Sequence, residues 1–338
     1  MSRMKTKPEQ ALQPGSTLPG KRRWKKESYL AMIVAAIPLL GFVIFNGFPL
    51  IISFIGMFFN INLNTISLDS LGDIQWNDFA AFKSVFVPGY ANETVFFDIS
   101  KYFYKSVWIT LWIASTQLVT LLIALFIATL LREKFAGNKL FQILFFIPYI
   151  CSTVAVSLMF TWIFNYEGGI LNSILGTDIN WLYNEDNPAT ITWCIIIAII
   201  WQAPGYGIVM YKAAFSNINN SLYEAAELDG ANAWHRFRHV TLPGISPTTF
   251  FLLQAGVSAG LLTFDLAALL APTIQWSGMP GGYESMGLTL MRLVHYLIDE
   301  RGTKLVFVSC ACVISWLLFI VTGIISMIMF RQREKSLK

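Results

Sequence analysis

Charge is scarce in this sequence. Only 13% of its 338 residues are Asp, Glu, Lys or Arg, about half of the roughly 25% typical of soluble domains. Histidine is scarcer, with three residues in all. The four cysteines (Cys151, Cys194, Cys310 and Cys312) all sit inside apolar runs. That placement argues against a secreted disulfide framework and offers no spaced metal-ligand pattern. A membrane-embedded enzyme would need a cluster of His, Asp, Cys or Ser, and none is visible. The phosphate-binding pattern G-x-x-x-x-G-K-[ST] is absent, so any ATP chemistry must come from another chain. There is no internal repeat, no low-complexity tract and no separate soluble domain.

What remains is mostly apolar. Hydrophobic residues make up 55% of the chain, and the mean hydropathy is +0.56. This is the composition of an integral membrane protein. A spanning helix takes about 20 predominantly apolar residues. Six runs qualify: 29–58, 107–131, 140–165, 190–211, 240–264 and 305–330. The first is too long for a signal-peptide core and has no clear cleavage site, so a retained helix is expected. The chain thus reads as an all-α polytopic protein. It has a basic tail over 1–28, a six-helix domain over 29–330 and a short tail over 331–338.

Six spans place both termini on one side. The N-tail, the 132–139 loop, the 211–247 loop and the C-tail hold 18 of the 24 Lys and Arg. Lys83, Lys101, Lys105, Arg292, Arg301 and Lys304 are left for the other side. Positive charge stays inside, so both termini are expected in the cytoplasm. The cluster Lys21–Lys26 beside the first span reads as an orientation signal on anionic lipid rather than a nucleic-acid site.

The 211–247 loop is long, polar and structured. Ser221-Leu222-Tyr223-Glu224 has the capping-box form, with Ser as N-cap and Glu at N3. Asp229-Gly230 stops the first helix, a second is expected from Ala231 to Val240, and Pro243 and Pro247 are expected to break the chain before the fifth span. Apolar groups rimmed by Glu224, Asp229, Arg236 and Arg238 mark a docking surface for a partner protein. A well-capped surface loop is the plainer alternative. His235 and His239 stand i, i+4 like two helical zinc ligands. Arg236, however, occupies the place where a zinc protease needs Glu, and no third ligand is evident.

Within this loop Glu224-Ala225-Ala226, Gly230, Val240, Leu242 and Pro243 match the EAA pattern. The loop therefore resembles that of bacterial binding-protein-dependent ABC importer permeases. Asp229, Ala231, Phe237 and Pro247 extend the likeness to the carbohydrate-uptake branch of maltose, multiple-sugar and glycerol-phosphate type. Gly168-Gly169-Ile170-Leu171-Asn172, Asn180-Trp181-Leu182 and Phe264-Asp265 are similar to other stretches of sugar permeases. Pro280-Gly281-Gly282-Tyr283 departs from the T-x-G-G-P-like stretch of that branch.

The resemblance implies a type I ABC importer permease fold in a bacterial plasma membrane, with residues 216–247 as the coupling loop. It implies four kinds of partner besides lipid: a second permease subunit, two cytoplasmic ATPase subunits, the ATP and Mg that they bind, and an extracytoplasmic sugar-binding protein. No cofactor is expected on this chain. Glu224 would meet a basic residue of the ATPase, Ala225 and Ala226 would keep the helix thin, and Gly230 would permit the turn. Pro243 and Pro247 would set the entry angle into span five. His235, Arg236, Arg238 and His239 would face acidic groups.

A sugar path needs hydrogen-bonding groups and flat rings at mid-depth. Trp201, Gln202, Tyr206, Tyr211, Gln254, Phe264 and Asp265 are the candidates on spans four and five. Pro204-Gly205 and Gly207 interrupt span four, as broken helices around cavities do. Asp265 is the one acid placed inside a span. Gly256 to Gly260 is a small-residue face for helix packing, with the second permease subunit as one expected partner. The rival readings are a permease for another solute class, such as amino acids or glycerol-phosphate, and an ATP-independent secondary transporter.

Overall fold

The computed structural model describes residues 26–60, 75–90, 98–132, 137–184, 186–271, 287–299 and 305–336. Most of the basic cluster and the whole of Pro280-Gly281-Gly282-Tyr283 lie outside them. The chain divides into two compact units, Met1–Ile52 and Ser53–Lys338. The first unit carries α1 (Lys26–Phe42) and a π-helical turn, Val43–Gly47, with α2 (Phe48–Gly56) running across the boundary. Met32–Gly56 forms one 25-residue apolar span. It is apolar on all sides, the pattern of a membrane helix rather than of a surface helix.

The second unit opens with a two-stranded antiparallel ladder, β1 (Phe59–Asn60) on β2 (Gln75–Trp76), and a short α3 (Ala80–Phe86). α4 (Ile99–Leu130) is the central helix. Asp98 caps it: its carboxylate accepts from the Ser100 hydroxyl at 2.6 Å and from the Lys101 N–H at 3.3 Å. The Ser100 bond, partly opposed by burial and aided by backbone N–H groups, holds the Asp98 pKa below the ordinary carboxylate value. Along its length α4 contributes Phe103, then Ile109 and Ile113, then Ala124 and Ala128 to three successive apolar clusters. Two of its buried hydroxyls return to their own helix, Ser106 to the Phe103 carbonyl at 2.9 Å and Thr116 to the Ile113 carbonyl at 2.6 Å, while the Thr110 hydroxyl accepts from the Leu290 N–H at 2.8 Å. A helix without water nearby must satisfy its polar groups in this way.

The third span is not straight. α5 (Asn138–Ile150) and α6 (Thr153–Ile163) meet at 95°. Among the described residues there are therefore five long apolar helices, and six spans when the bent pair is counted as one. After α7 (Ile170–Leu175), α8 (Thr190–Gln202) and α9 (Pro204–Ser216) form the fourth span. Pro204 takes the first position of α9, where a missing N–H costs little. α10 (Asn220–Leu228), α11 (Ala233–Arg236), α12 (Leu242–Leu261) and α13 (Asp265–Leu270) follow. Then come the amphipathic α14 (Leu290–Asp299) and α15 (Leu305–Ser336).

The 168–182 stretch, singled out above by resemblance, is a polar knot around one side chain. Asn172 is 5% exposed. Its amide donates to the Ile179 carbonyl at 2.9 Å and the Tyr166 carbonyl at 3.3 Å. Its oxygen accepts from the Trp181 indole N–H at 2.8 Å and the Ile179 N–H at 3.3 Å. Asn172→Ala would leave several of these groups buried and unpaired, so a loss of about 2–3 kcal/mol is expected. Thermal melting of the purified protein in detergent checks it; an unchanged midpoint would remove the knot's structural role.

Candidate functional site

The polar loop is a helical hairpin. Asn219, not Ser221, is the N-cap of α10, its side chain accepting from the Ser221 N–H at 3.0 Å. The expected capping box is therefore not the device used, and Glu224 is left exposed on the helix surface. α10 ends in a Schellman motif, in which the Gly230 N–H reaches the Glu227 carbonyl at 3.0 Å and the Ala231 N–H reaches the Ala226 carbonyl at 2.9 Å. Gly230 has φ of 76°, a conformation that glycine adopts without strain. Asn232 then caps α11, accepting from the His235 N–H at 2.9 Å.

The expected break at Pro243 and Pro247 does not occur. A π-helical turn, Phe237–Thr241, joins α11 directly to α12. The Leu242 N–H spans five residues back to the Phe237 carbonyl. The widened turn falls immediately before Pro243, which has no N–H to give. The second arm of the hairpin and the fifth span are therefore one nearly continuous helical rod, and Ala233–Leu270 counts as one span.

The hairpin's exterior is part apolar, part charged. Leu228 is 91% exposed and Trp234 64%. Trp234 stacks on Phe237 with centroids 5.8 Å apart. Arg236 reaches Glu227 at 3.4 Å, tying the second helix to the first; both are solvated enough that the pair adds little stability. Ala225 and Asp229 are exposed and Ala226 is half-buried.

Two adjoining cavities lie between α4, α5–α6, α8–α9 and α12. The one farther from the hairpin, about 240 Å³, is lined by Gln117, Thr153, Gln202, Thr263, Phe264 and Asp265 among others. The nearer one, about 290 Å³, is lined by Gln117, Thr120, Tyr149, Tyr206 and small residues of α9 and α12. Gln117, Ala203 and Ala259 belong to both. Gln202 also pins the bend in span three: its amide donates at 3.2 Å to the Cys151 carbonyl, at the break between α5 and α6. Tyr206 stacks on Tyr149 with centroids 5.4 Å apart.

The seven path candidates therefore divide. Gln202, Tyr206, Phe264 and Asp265 line the cavities. Asp265 sits outside α12, as the first residue of α13. The other three serve packing. Trp201 lies edge-on to Phe160 at 5.6 Å. Gln254 donates to the Ser326 hydroxyl at 3.3 Å, joining α12 to α15. Tyr211 is fully buried and stacks on Phe215. Gly260 packs inside the chain, where an added Cβ would meet the Ala114 Cα at 2.8 Å. Gln117, Thr153 and Tyr149 were not foreseen. Gln117 is the missed residue with the clearest signal, a lone amide in a long apolar run.

The profile of one family, described as binding-protein-dependent transport system inner membrane component, matches residues 120–335. The chain belongs to that family. The matched segment holds the hairpin and all the path candidates. Among individual relatives, the lactose transport system permease protein LacF of Rhizobium radiobacter is 29% identical over 225 residues, 64% of this chain and 72% of the relative. The arabinooligosaccharides transport system permease protein AraP of Bacillus subtilis (strain 168) is 30% identical over 233 residues, 67% of this chain and 70% of its own. The inner membrane ABC transporter permease protein YcjO of Escherichia coli (strain K12) is 35% identical, with 57% of its length matched. In fold the chain is similar to a bacterial ABC transporter involved in the import of the acidic polysaccharide alginate. The TM-score is 0.69 at 21% identity, covering 93% of this chain and 98% of the other.

Proposed function

We propose that this chain is the transmembrane subunit of an ATP-driven sugar importer with oligosaccharides as its solute, and that it forms half of the translocation path. Both termini and the Glu224–Pro247 hairpin face the cytoplasm of a bacterial cell. The hairpin docks in a separate ATPase subunit, which carries ATP and Mg. A second permease, a second ATPase and an extracytoplasmic binding protein complete the assembly. The observation that carries this reading is the exposed, doubly capped hairpin built rigidly onto α12, the helix that also walls both cavities. A tether needs neither the caps nor the continuity. The names of LacF and AraP support sugar as the solute.

The cavity walls fit a neutral saccharide. Gln117, Gln202, Thr153 and Thr120 offer amides and hydroxyls to sugar hydroxyls, and Tyr149, Tyr206 and Phe264 offer flat faces to C–H surfaces. Asp265 puts an acid on the wall, which disfavours an acidic chain such as alginate. Uptake of radiolabelled lactose, arabino-oligosaccharide and alginate oligosaccharide into cells expressing the assembly tests the class. A neutral sugar taken up is the expected result; uptake of none of them, with amino acid or glycerol-phosphate transported instead, would overturn it. Asp265→Asn should change the KM for the transported sugar by roughly fivefold or more, the loss of one charge-assisted hydrogen bond, with the ATPase still bound. Unchanged uptake kinetics would take Asp265 out of the path.

A further inference from the structure

A polar joint connects the hairpin to the central helix. Thr241, the last residue of the π turn, is 1% exposed. Its hydroxyl lies 3.0 Å from the Tyr223 hydroxyl, and the Arg132 guanidinium donates to it at 3.5 Å. That guanidinium lies over the Tyr223 ring, 4.2 Å from its centroid, and 5.9 Å from the Phe215 centroid. Four elements meet at this point. Tyr223 comes from α10, Thr241 from the base of α12, Phe215 from the end of α9, and Arg132 from just past the end of α4.

α4 is the element that matters. From Arg132 back to Gln117, at the junction of the two cavities, is roughly 22 Å of helix at 1.5 Å per residue. A stiff helix therefore has one end held by the hairpin and its middle in the wall of the path. The grip is directional: the planar guanidinium of the exposed Arg132 lies on the ring face of the half-buried Tyr223, and both side chains reach the buried Thr241 hydroxyl. The π turn beside it is a place where helical register has already been shifted, a feature frequent at functional sites. We propose that Arg132, Tyr223 and Thr241 form the joint through which displacement of the hairpin moves α4 and reshapes the cavities at Gln117. Arg132 is a positioning residue in this scheme, not a docking one. The inference rests on the importer reading.

The test uses the complete assembly, purified with its ATPase and reconstituted in nanodiscs. Cys151, the exposed cysteine, is replaced by serine, and Ala255→Cys places a reporter in the wall of the nearer cavity. The labelling rate with a polar maleimide is compared without nucleotide and with MgATP and vanadate. The parent should change its rate by about fivefold or more, the size of a typical coupling between sites. Arg132→Ala and Tyr223→Ala should each reduce the change to below about twofold with the ATPase still bound, and the double variant should be no worse than either single one. Arg132→Lys, which keeps charge but not the plane, should fail like Arg132→Ala. A full response in Arg132→Ala would overturn the joint, as would loss of the ATPase from that complex, which would make Arg132 a docking residue. A parent that holds no ATPase or ignores MgATP would instead defeat the importer reading, and the joint with it.

Discussion

Glu224→Lys is expected to abolish ATP-driven uptake while the chain stays folded and in the membrane. Glu224 is exposed on α10, and the helix cap belongs to Asn219. The substitution therefore removes no cap and opens no cavity, and surface changes of this kind usually alter stability by less than about 0.5 kcal/mol. What it reverses is a charge on the face proposed to dock in the ATPase. Breaking one partner of a charge pair desolvated at an interface costs about 2 kcal/mol or more, roughly thirtyfold in affinity. Two readings check the result: radiolabelled sugar uptake in whole cells, and the amount of the chain in isolated membranes. Uptake lost with membrane content kept is the expected pair. Normal uptake would remove the hairpin from the coupling mechanism.

Gly205→Val should have the opposite signature, with the protein itself failing. Gly205 is buried near the start of α9, beside α5. A Cβ there would meet the Phe145 carbonyl oxygen at 2.7 Å and the Tyr149 Cβ at 2.9 Å. The first of these is backbone and cannot swing away, so α9 and α5 must separate. Overpacking typically costs 1–3 kcal/mol, and a branched side chain against backbone should reach about 3 kcal/mol or exceed it. The damage falls where Tyr149 and Tyr206 stack in the cavity wall, so any surviving protein should also transport poorly. Gly41, in α1, has nothing within 4 Å of an added Cβ, and Gly41→Ala serves as the tolerated control. Thermal melting of both variants in detergent decides the matter; a wild-type midpoint for Gly205→Val would show that the helices do not pack this closely.

The contrast between these two positions shows what the sequence could and could not reveal. Apolar runs marked the spans because a bilayer imposes length and composition on a helix, and the Met32–Gly56 and Thr190–Ser216 spans start within a few residues of their expected places. The hairpin was legible because turn and capping chemistry are local. Even so, the cap moved from Ser221 to Asn219, since several neighbouring side chains could accept the same backbone N–H. The bend at Cys151-Ser152 was not legible. It depends on a partner 51 residues away, Gln202, taking up the carbonyl that the break exposes. Pro243 reads locally as a break, yet the π turn ahead of it leaves the helix continuous, and no turn residue in the sequence marks that widened turn. The six apolar runs leave 290–299 between spans five and six, yet Leu290, Leu293, Val294 and Leu297 carry a helical stripe that α14 uses. Arg292 was counted there as an outer-loop charge and is instead buried, donating to the Ala271 carbonyl at 3.3 Å. The sequence pattern named polar residues on the right helices, but only packing separated Gln202 and Asp265, in the cavity wall, from Gln254 and Trp201 on helix contacts.

Coupling of this permease to a separate ATPase through the Glu224–Pro247 hairpin requires the two chains to be held together in the membrane. The most direct test is to isolate the chain from native membranes in mild detergent and identify its companions by mass spectrometry. An ATPase subunit with a phosphate loop should be recovered together with a second permease. Recovery of the chain alone, or only with copies of itself, would contradict it and favour a transporter that works without ATP.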